Sequence, residues 1–214
     1  MSFGYFGKLP SRGDFLAKGL PEVMLSPLDE WLRRGLDEAQ RQLGGAWREI
    51  YLTGPVWRFA LSAGMAGPTM AAGILVPSTD RSGRDFPFII ACRAAADRGP
   101  AQLAAGLSGW LDRASQLATL AVTRELDPAT LDRHMGEMGP PAPPPAVKTV
   151  NWRTPGCGTL DTALPALLDQ AASSGLKRPA LWWSAGSAKT PPTSLMTEDW
   201  PPPSQFPALF TGTW

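Results

Sequence analysis

The apolar positions change period several times along the chain, and each change marks an element. Leu28, Trp31, Leu32, Leu36, Ala39 and Leu43 recur at three- and four-residue steps, with Arg33, Arg34, Asp37, Glu38 and Arg41 mostly opposite, which predicts an amphipathic helix. Ser26 followed by Pro27 reads as its start, because a serine hydroxyl satisfies an orphan amide and proline tolerates the first helical position. Gly44 and Gly45 read as its end. Ahead of it, Phe3 to Lys8 is a short aromatic stretch interrupted by Gly7, Pro10 and Gly13, a strand entering a structured loop.

The period then shortens. Val56 to Leu61 sets Trp57, Phe59 and Leu61 against Arg58 and Ala60, as in a half-buried strand. Ala71 to Val76 and Phe86 to Cys92 are nearly continuous apolar runs, the pattern of central strands covered on both sides. Pro77 to Asp85 between them is rich in turn formers and charge, so these two strands are expected to pair as an antiparallel hairpin or meander, with Pro87 at a strand start or edge. Helical spacing returns after Gly99 and Pro100, from Leu103 to Ala121, and predicts one long helix.

From Met135 to Ala146 all periodicity collapses into glycine and proline, which predicts an extended surface loop at 139–146. Leu164, Leu167, Leu168 and Ala171 then suggest a helix ending near Gly175, Ala180 to Trp183 a further strand, and Ser204 to Phe210 a last short helix. Adjacent Trp182 and Trp183 on a strand must face opposite ways. Together these elements predict an α/β fold, a three-layer sandwich with a mixed central sheet and helices on both faces. The segment after the proline loop has too few elements for its own core, so residues 1–214 are expected to form one domain; a split near Pro140 is the alternative.

Composition narrows the function. An apolar fraction of 43% with 18% charged residues supports a buried core, and 20 basic against 19 acidic residues leave a formal charge of +1, too little field to hold nucleic acid. No stretch reaches the roughly 20 apolar residues of a spanning helix, which leads to the expectation of a cytoplasmic protein without membrane insertion. Cys92 and Cys157 lack the spacing of a zinc or redox pair and are expected to be free, mostly buried thiols.

Candidate chemistry is sparse. The single histidine, His134, excludes a two-histidine metal motif, and its neighbourhood reads as an exposed loop. Gly4 to Leu9 has too short a glycine gap for a phosphate loop and lacks the Ser or Thr after Lys8. Gly186 lacks the nucleophile-elbow spacing. Arg12-Gly13-Asp14 reads as a loop with a local ion pair. No catalytic residue, metal or cofactor is expected. Polar residues concentrate instead at Lys8, Arg12 and Asp14, and at Asp80, Arg81, Arg84 and Asp85. Two accounts stand: the aspartates stabilise turns and pair with the arginines, or the arginines present forks to a carboxylate or phosphate of a partner. Among nine tryptophans, Trp200 and Trp214 lie in the proline-rich end and are candidates for an aromatic contact, with packing over a loop as the alternative.

Four blocks in order carry a family resemblance: Gly7-Lys8-Leu9-Pro10 with Gly13-Asp14-Phe15; Pro55 to Phe59; Pro77-Ser78, Asp80-Arg81, Gly83-Arg84 and Phe86-Pro87; and Leu181-Trp182-Trp183 with Gly186-Ser187. The chain resembles the TagF family, also called ImpM or SciT. The resemblance implies a non-enzymatic accessory protein of bacterial type VI secretion that restrains the apparatus after translation by contacting the forkhead-associated scaffold protein. A structural adaptor of the assembly is the alternative, and a separate protein phosphatase is a further candidate partner. The partner-binding candidates are Lys8, Arg12, Asp14, Asp80, Arg81 and Arg84, chosen because polar groups concentrate in the matching blocks.

Overall fold

The computed structural model describes residues 2–149, 153–154 and 160–214. Its strands are β1 (Phe3–Gly7), β2 (Leu16–Lys18), β3 (Trp57–Leu61), β4 (Met70–Val76), β5 (Phe88–Ala94), β6 (Pro179–Ser184) and β7 (Thr193–Glu198). They form one seven-stranded sheet in the order β2-β1-β5-β4-β3-β6-β7. The sandwich is as expected from the sequence, but its sheet is not mixed: every pairing is antiparallel. The connections explain the centre of the sheet, since β3, β4 and β5 follow one another through links too short for a parallel crossover. Both β6 and β7, from beyond the proline loop, extend this same sheet.

Alternation along the strands divides the core in two. On one face Phe6, Trp57, Phe59, Leu75, Ile89 and Trp182 pack against α1 (Glu22–Leu43), α2 (Trp47–Leu52) and the C-terminal segment. On the other, Tyr5, Ile74, Val76, Phe88, Ile90 and Cys92 meet α3 (Pro100–Gly106), α4 (Ser108–Thr123) and α5 (Pro128–Met138). Trp182 and Trp183 do face opposite ways, Trp182 fully buried and Trp183 packed at the rim of the second cluster. Cys92 is a free, buried thiol, pushed up to about 12 by burial; Cys157 lies outside the described residues.

Several boundaries differ from the sequence pattern, each for a local reason. Helix α1 begins a turn before Ser26 and carries Pro27 inside it, with Pro21 as the extended N-cap residue. Met24 continues the buried stripe of Leu28, Trp31 and Leu32, so its burial outweighs the hydrogen bond that Pro27 cannot donate. The long helix after Gly99 is two helices, interrupted at Leu107. There the proline-rich segment crosses so closely that a Cβ on Gly106 would stand 2.9 Å from Pro144 Cδ. The expected loop around His134 is a helix, α5. Asp127 caps it by accepting from the Ala129 and Thr130 amides at 3.0 and 3.1 Å, Pro128 is its first residue, and Leu131 and Met135 are its buried positions. His134 therefore sits on a helix, beside Glu137 at 3.0 Å.

The segment 139–146 is irregular and held from outside: Trp110 Nε1 donates to the Gly139 carbonyl at 3.1 Å and Arg98 Nη1 to the Pro144 carbonyl at 2.7 Å. Helix α6 (Leu160–Gly175) follows, packed on α3. At the C-terminus the expected single helix is a 3-10 turn, Pro203–Gln205, and a short α7 (Ala208–Thr211). Phe206, Leu209 and Phe210 are buried under α1 and α2. Trp200 stacks on Trp31 with ring centroids 4.9 Å apart, whereas Trp214 stays half exposed against the edge of Trp57.

Candidate functional site

The end of β1 and the β4–β5 connection are drawn together by a backbone that only glycine allows. Gly7 has φ +126°, and a Cβ there would lie 2.0 Å from the Pro87 carbonyl oxygen, so the strand end presses directly on β5. The chain leaving Gly7 consequently runs beside residues 78–86. Ser78 Oγ donates to the Lys8 carbonyl at 2.8 Å, and the Arg81 amide donates to the Arg12 carbonyl at 2.8 Å. Two loops distant in sequence thus become one surface.

Asp80 organises it. Its side chain is buried, and its Oδ1 accepts from the Ser82 and Arg84 amides at 2.8 and 3.0 Å. Its Oδ2 meets Lys8 Nζ at 3.1 Å and Arg84 Nε at 2.6 Å. Burial alone would raise this carboxyl, but the Arg84 amide, the Lys8 ammonium and the Arg84 guanidinium together hold it well below the usual carboxylate range. It stays ionised and is no proton donor at neutral pH. Lys8 is buried with it, so this pair welds the loops and is turned away from solvent.

The other candidates point outward. Arg81 Nη2 donates to the Ser11 carbonyl at 2.5 Å and Arg84 Nη2 to the Gly13 carbonyl at 2.8 Å, which tethers both guanidinium groups while leaving further N–H groups in solvent. Arg12 and Asp14 are exposed and make no side-chain hydrogen bond among the described residues. The six candidates therefore lie in one place but divide by role: Lys8 and Asp80 inside, Arg84 bridging, and Arg12, Asp14 and Arg81 displayed. Asp85 belongs to neither group, since it accepts from Trp47 Nε1 at 3.0 Å and lies 3.3 Å from Arg48 Nη1.

Residues overlooked in the sequence complete the surface. Tyr51, fully buried, donates its hydroxyl to the Ser78 carbonyl and accepts from the Ser78 amide, both at 3.0 Å, clamping the connection from α2. Burial holds its phenol well above the usual range, against the opposing effect of the Ser78 bond. Phe15 is partly exposed yet fixed, edge-on to Phe86 at 4.7 Å and stacked on Phe6 at 5.9 Å. Lys8 and Arg33 each stand 5.1 Å from its ring centroid. The spacing of Trp47 and Tyr51 marks a helix face, but nothing local reveals that this face grips Ser78 and Asp85.

Elsewhere, a cleft of about 630 Å³ between α3 and α6 contains Asp169. That carboxylate is already engaged by the Ala101 and Gln102 amides at 2.8 and 3.0 Å, and burial raises it. No group of three potential metal ligands occurs among the described residues. No helix among them is long and apolar enough to cross a membrane.

A family model spans the first three of the four sequence blocks. A comparison with curated proteins found no match. The crystal structure of PA0076 from Pseudomonas aeruginosa PAO1, at 2.05 Å resolution, is similar to this chain with a TM-score of 0.84 and 33% identity, covering 100% of this chain and 96% of that one. The family model described as the TagF N-terminal domain, type VI secretion system-associated, matches residues 4–138, which hold both loops of the arginine surface. The chain thus belongs to the TagF family of type VI secretion system-associated proteins.

Proposed function

We propose that this chain is a non-enzymatic, cytoplasmic regulator of type VI secretion, a post-translational repressor that works by binding the forkhead-associated scaffold protein through the loop surface around Arg12 and Arg81. The observation that supports it is the division within the six residues. A buried Lys8–Asp80 pair makes the two loops rigid, Arg81 and Arg84 are held at the surface with donors unused, and Arg12 is displayed beside them on a backbone tied to the Arg81 amide. Such preorganisation lowers the ordering cost of contact with a partner.

Titration calorimetry of the chain against the scaffold of its own secretion cluster tests the reading. Saturable binding that weakens in Arg12→Ala with Arg81→Ala is expected. Absence of binding by the folded wild-type chain contradicts the scaffold reading, and stoichiometric retention in the purified apparatus would favour a structural adaptor. A separate phosphatase is the second partner to titrate.

A further inference from the structure

We propose that the open edge of β2 and the groove between β2 and α1 receive an extended, acidic segment of a partner protein, whose apolar side chains enter the groove beside Phe15. The inference rests on the reading that this end of the molecule binds a partner, and is independent of which protein that is.

Strand β2 pairs with β1 on one side and is the last strand of the sheet on the other. Its outer backbone is therefore free to pair with an added strand. Register sets the geometry: Ala17 lies opposite Phe6, which faces α1. A strand laid along β2 would accordingly direct every second side chain toward α1. A groove of about 440 Å³ is present there, walled by Phe6, Phe15, Ala17 and Leu25. Phe15 is 38% exposed although four neighbours hold its ring in place. An exposed aromatic that is already immobile loses little conformational freedom on contact, which suits an anchor.

Charge selects the occupant. The chain from Arg12 to Phe15 leads directly into β2, so Arg12, Arg81 and Arg84 stand at its Leu16 end. Counting Lys8, Arg12, Arg81 and Arg84 against Asp14 and Asp80, 4 − 2 leaves +2 at that end. Along the groove Arg33 is paired with Asp29 at 2.6 Å and Glu30 with Arg34 at 3.6 Å, while Glu22, at the start of α1, lines the groove with no ion pair among the described residues. Acidic residues of the segment are thus attracted to the Leu16 end and repelled from the Glu22 end, which sets the direction in which the segment lies. The opposite sheet edge, β7, is longer but offers no such field: it ends in Glu198, and nearby Arg178 is paired with Asp199.

The test is a titration of the isotope-labelled chain with a synthetic peptide that alternates Glu with Val, followed through backbone amide resonances, beside a counterpart with Lys for Glu. Saturable shifts at Phe15 and Leu16–Lys18 with the Glu peptide alone are expected. Arg12→Glu should weaken them about tenfold, and added salt should weaken them too. No shift at β2, equal shifts with both peptides, or shifts confined to β7 would overturn the inference, as would unchanged affinity in folded Arg12→Glu. Failure of the scaffold to bind a chain that responds to the Glu peptide counts against the scaffold reading alone. Scaffold binding by a chain that ignores the peptide counts against this inference alone.

Discussion

The β4–β5 connection and the proline-rich segment 139–146 both lack regular structure, yet they are held in opposite ways. The first supplies its own buried anchor, Asp80, which gathers two amides and a guanidinium of the connection itself and the ammonium of Lys8 from the facing loop. The second contributes mostly carbonyl oxygens and proline rings, and the side chains that hold it, Trp110 and Arg98, belong to helix α4 and the loop before α3. A loop of the first kind can carry exposed arginines in fixed positions because its buried charge pair provides the rigidity. A loop of the second kind is a passenger on the surface it crosses.

That contrast can be broken most severely at Asp80. Asp80→Ala leaves Lys8 buried without its carboxylate and should destabilise the fold by roughly 3–5 kcal/mol, measured by denaturant unfolding. Its pH dependence follows from the depressed carboxyl. The stabilisation from Asp80 is complete above the ordinary Asp value of about 3.9 and is lost as pH falls toward the lower folded-state value. The gap in unfolding free energy between wild type and Asp80→Asn should therefore narrow below about pH 4. A gap that stays constant across that range would mean the ion pairs do not set the carboxyl.

Smaller effects sharpen the other side. Trp110→Phe removes the donor to Gly139 and should cost about 1 kcal/mol, with faster amide exchange confined to the proline segment and its supports. Asp127→Ala, which uncaps α5, should also cost about 1 kcal/mol and report on α5 in the same exchange experiment. Arg12→Ala, at an exposed position, should change stability by less than about 0.5 kcal/mol. A larger loss would place Arg12 within the structural weld.

How much was legible beforehand follows the same division. The strands announced themselves, because Ala71 to Val76 and Phe86 to Cys92 are apolar on both faces and the turn formers between them join a hairpin. The polar cluster was also visible, since both loops carry their own charges in matching blocks. What the residues alone did not reveal was depth: Lys8 and Arg12 look equivalent in sequence, but one is buried against Asp80 and the other is exposed. Helix α5 carries a capping signal in Asp127-Pro128 but buries only Leu131 and Met135, too weak an apolar stripe to stand out beside the glycine and proline run just after it. Strand β7 was missed because Thr193–Glu198 is only partly apolar, its order coming from pairing with β6. The tip of the Tyr51 side chain reaches Ser78 across the fold, a contact that local sequence does not encode.

The most direct test of the central claim measures two quantities on one protein, Arg12→Ala with Arg81→Ala: its melting temperature and its affinity for the forkhead-associated scaffold. Arg84 is left intact because it is tied to buried Asp80. The account predicts a melting temperature within about 2 °C of wild type and clearly weaker binding. Wild-type affinity in the folded double variant, or a loss of binding matched by an equal loss of stability, would contradict it.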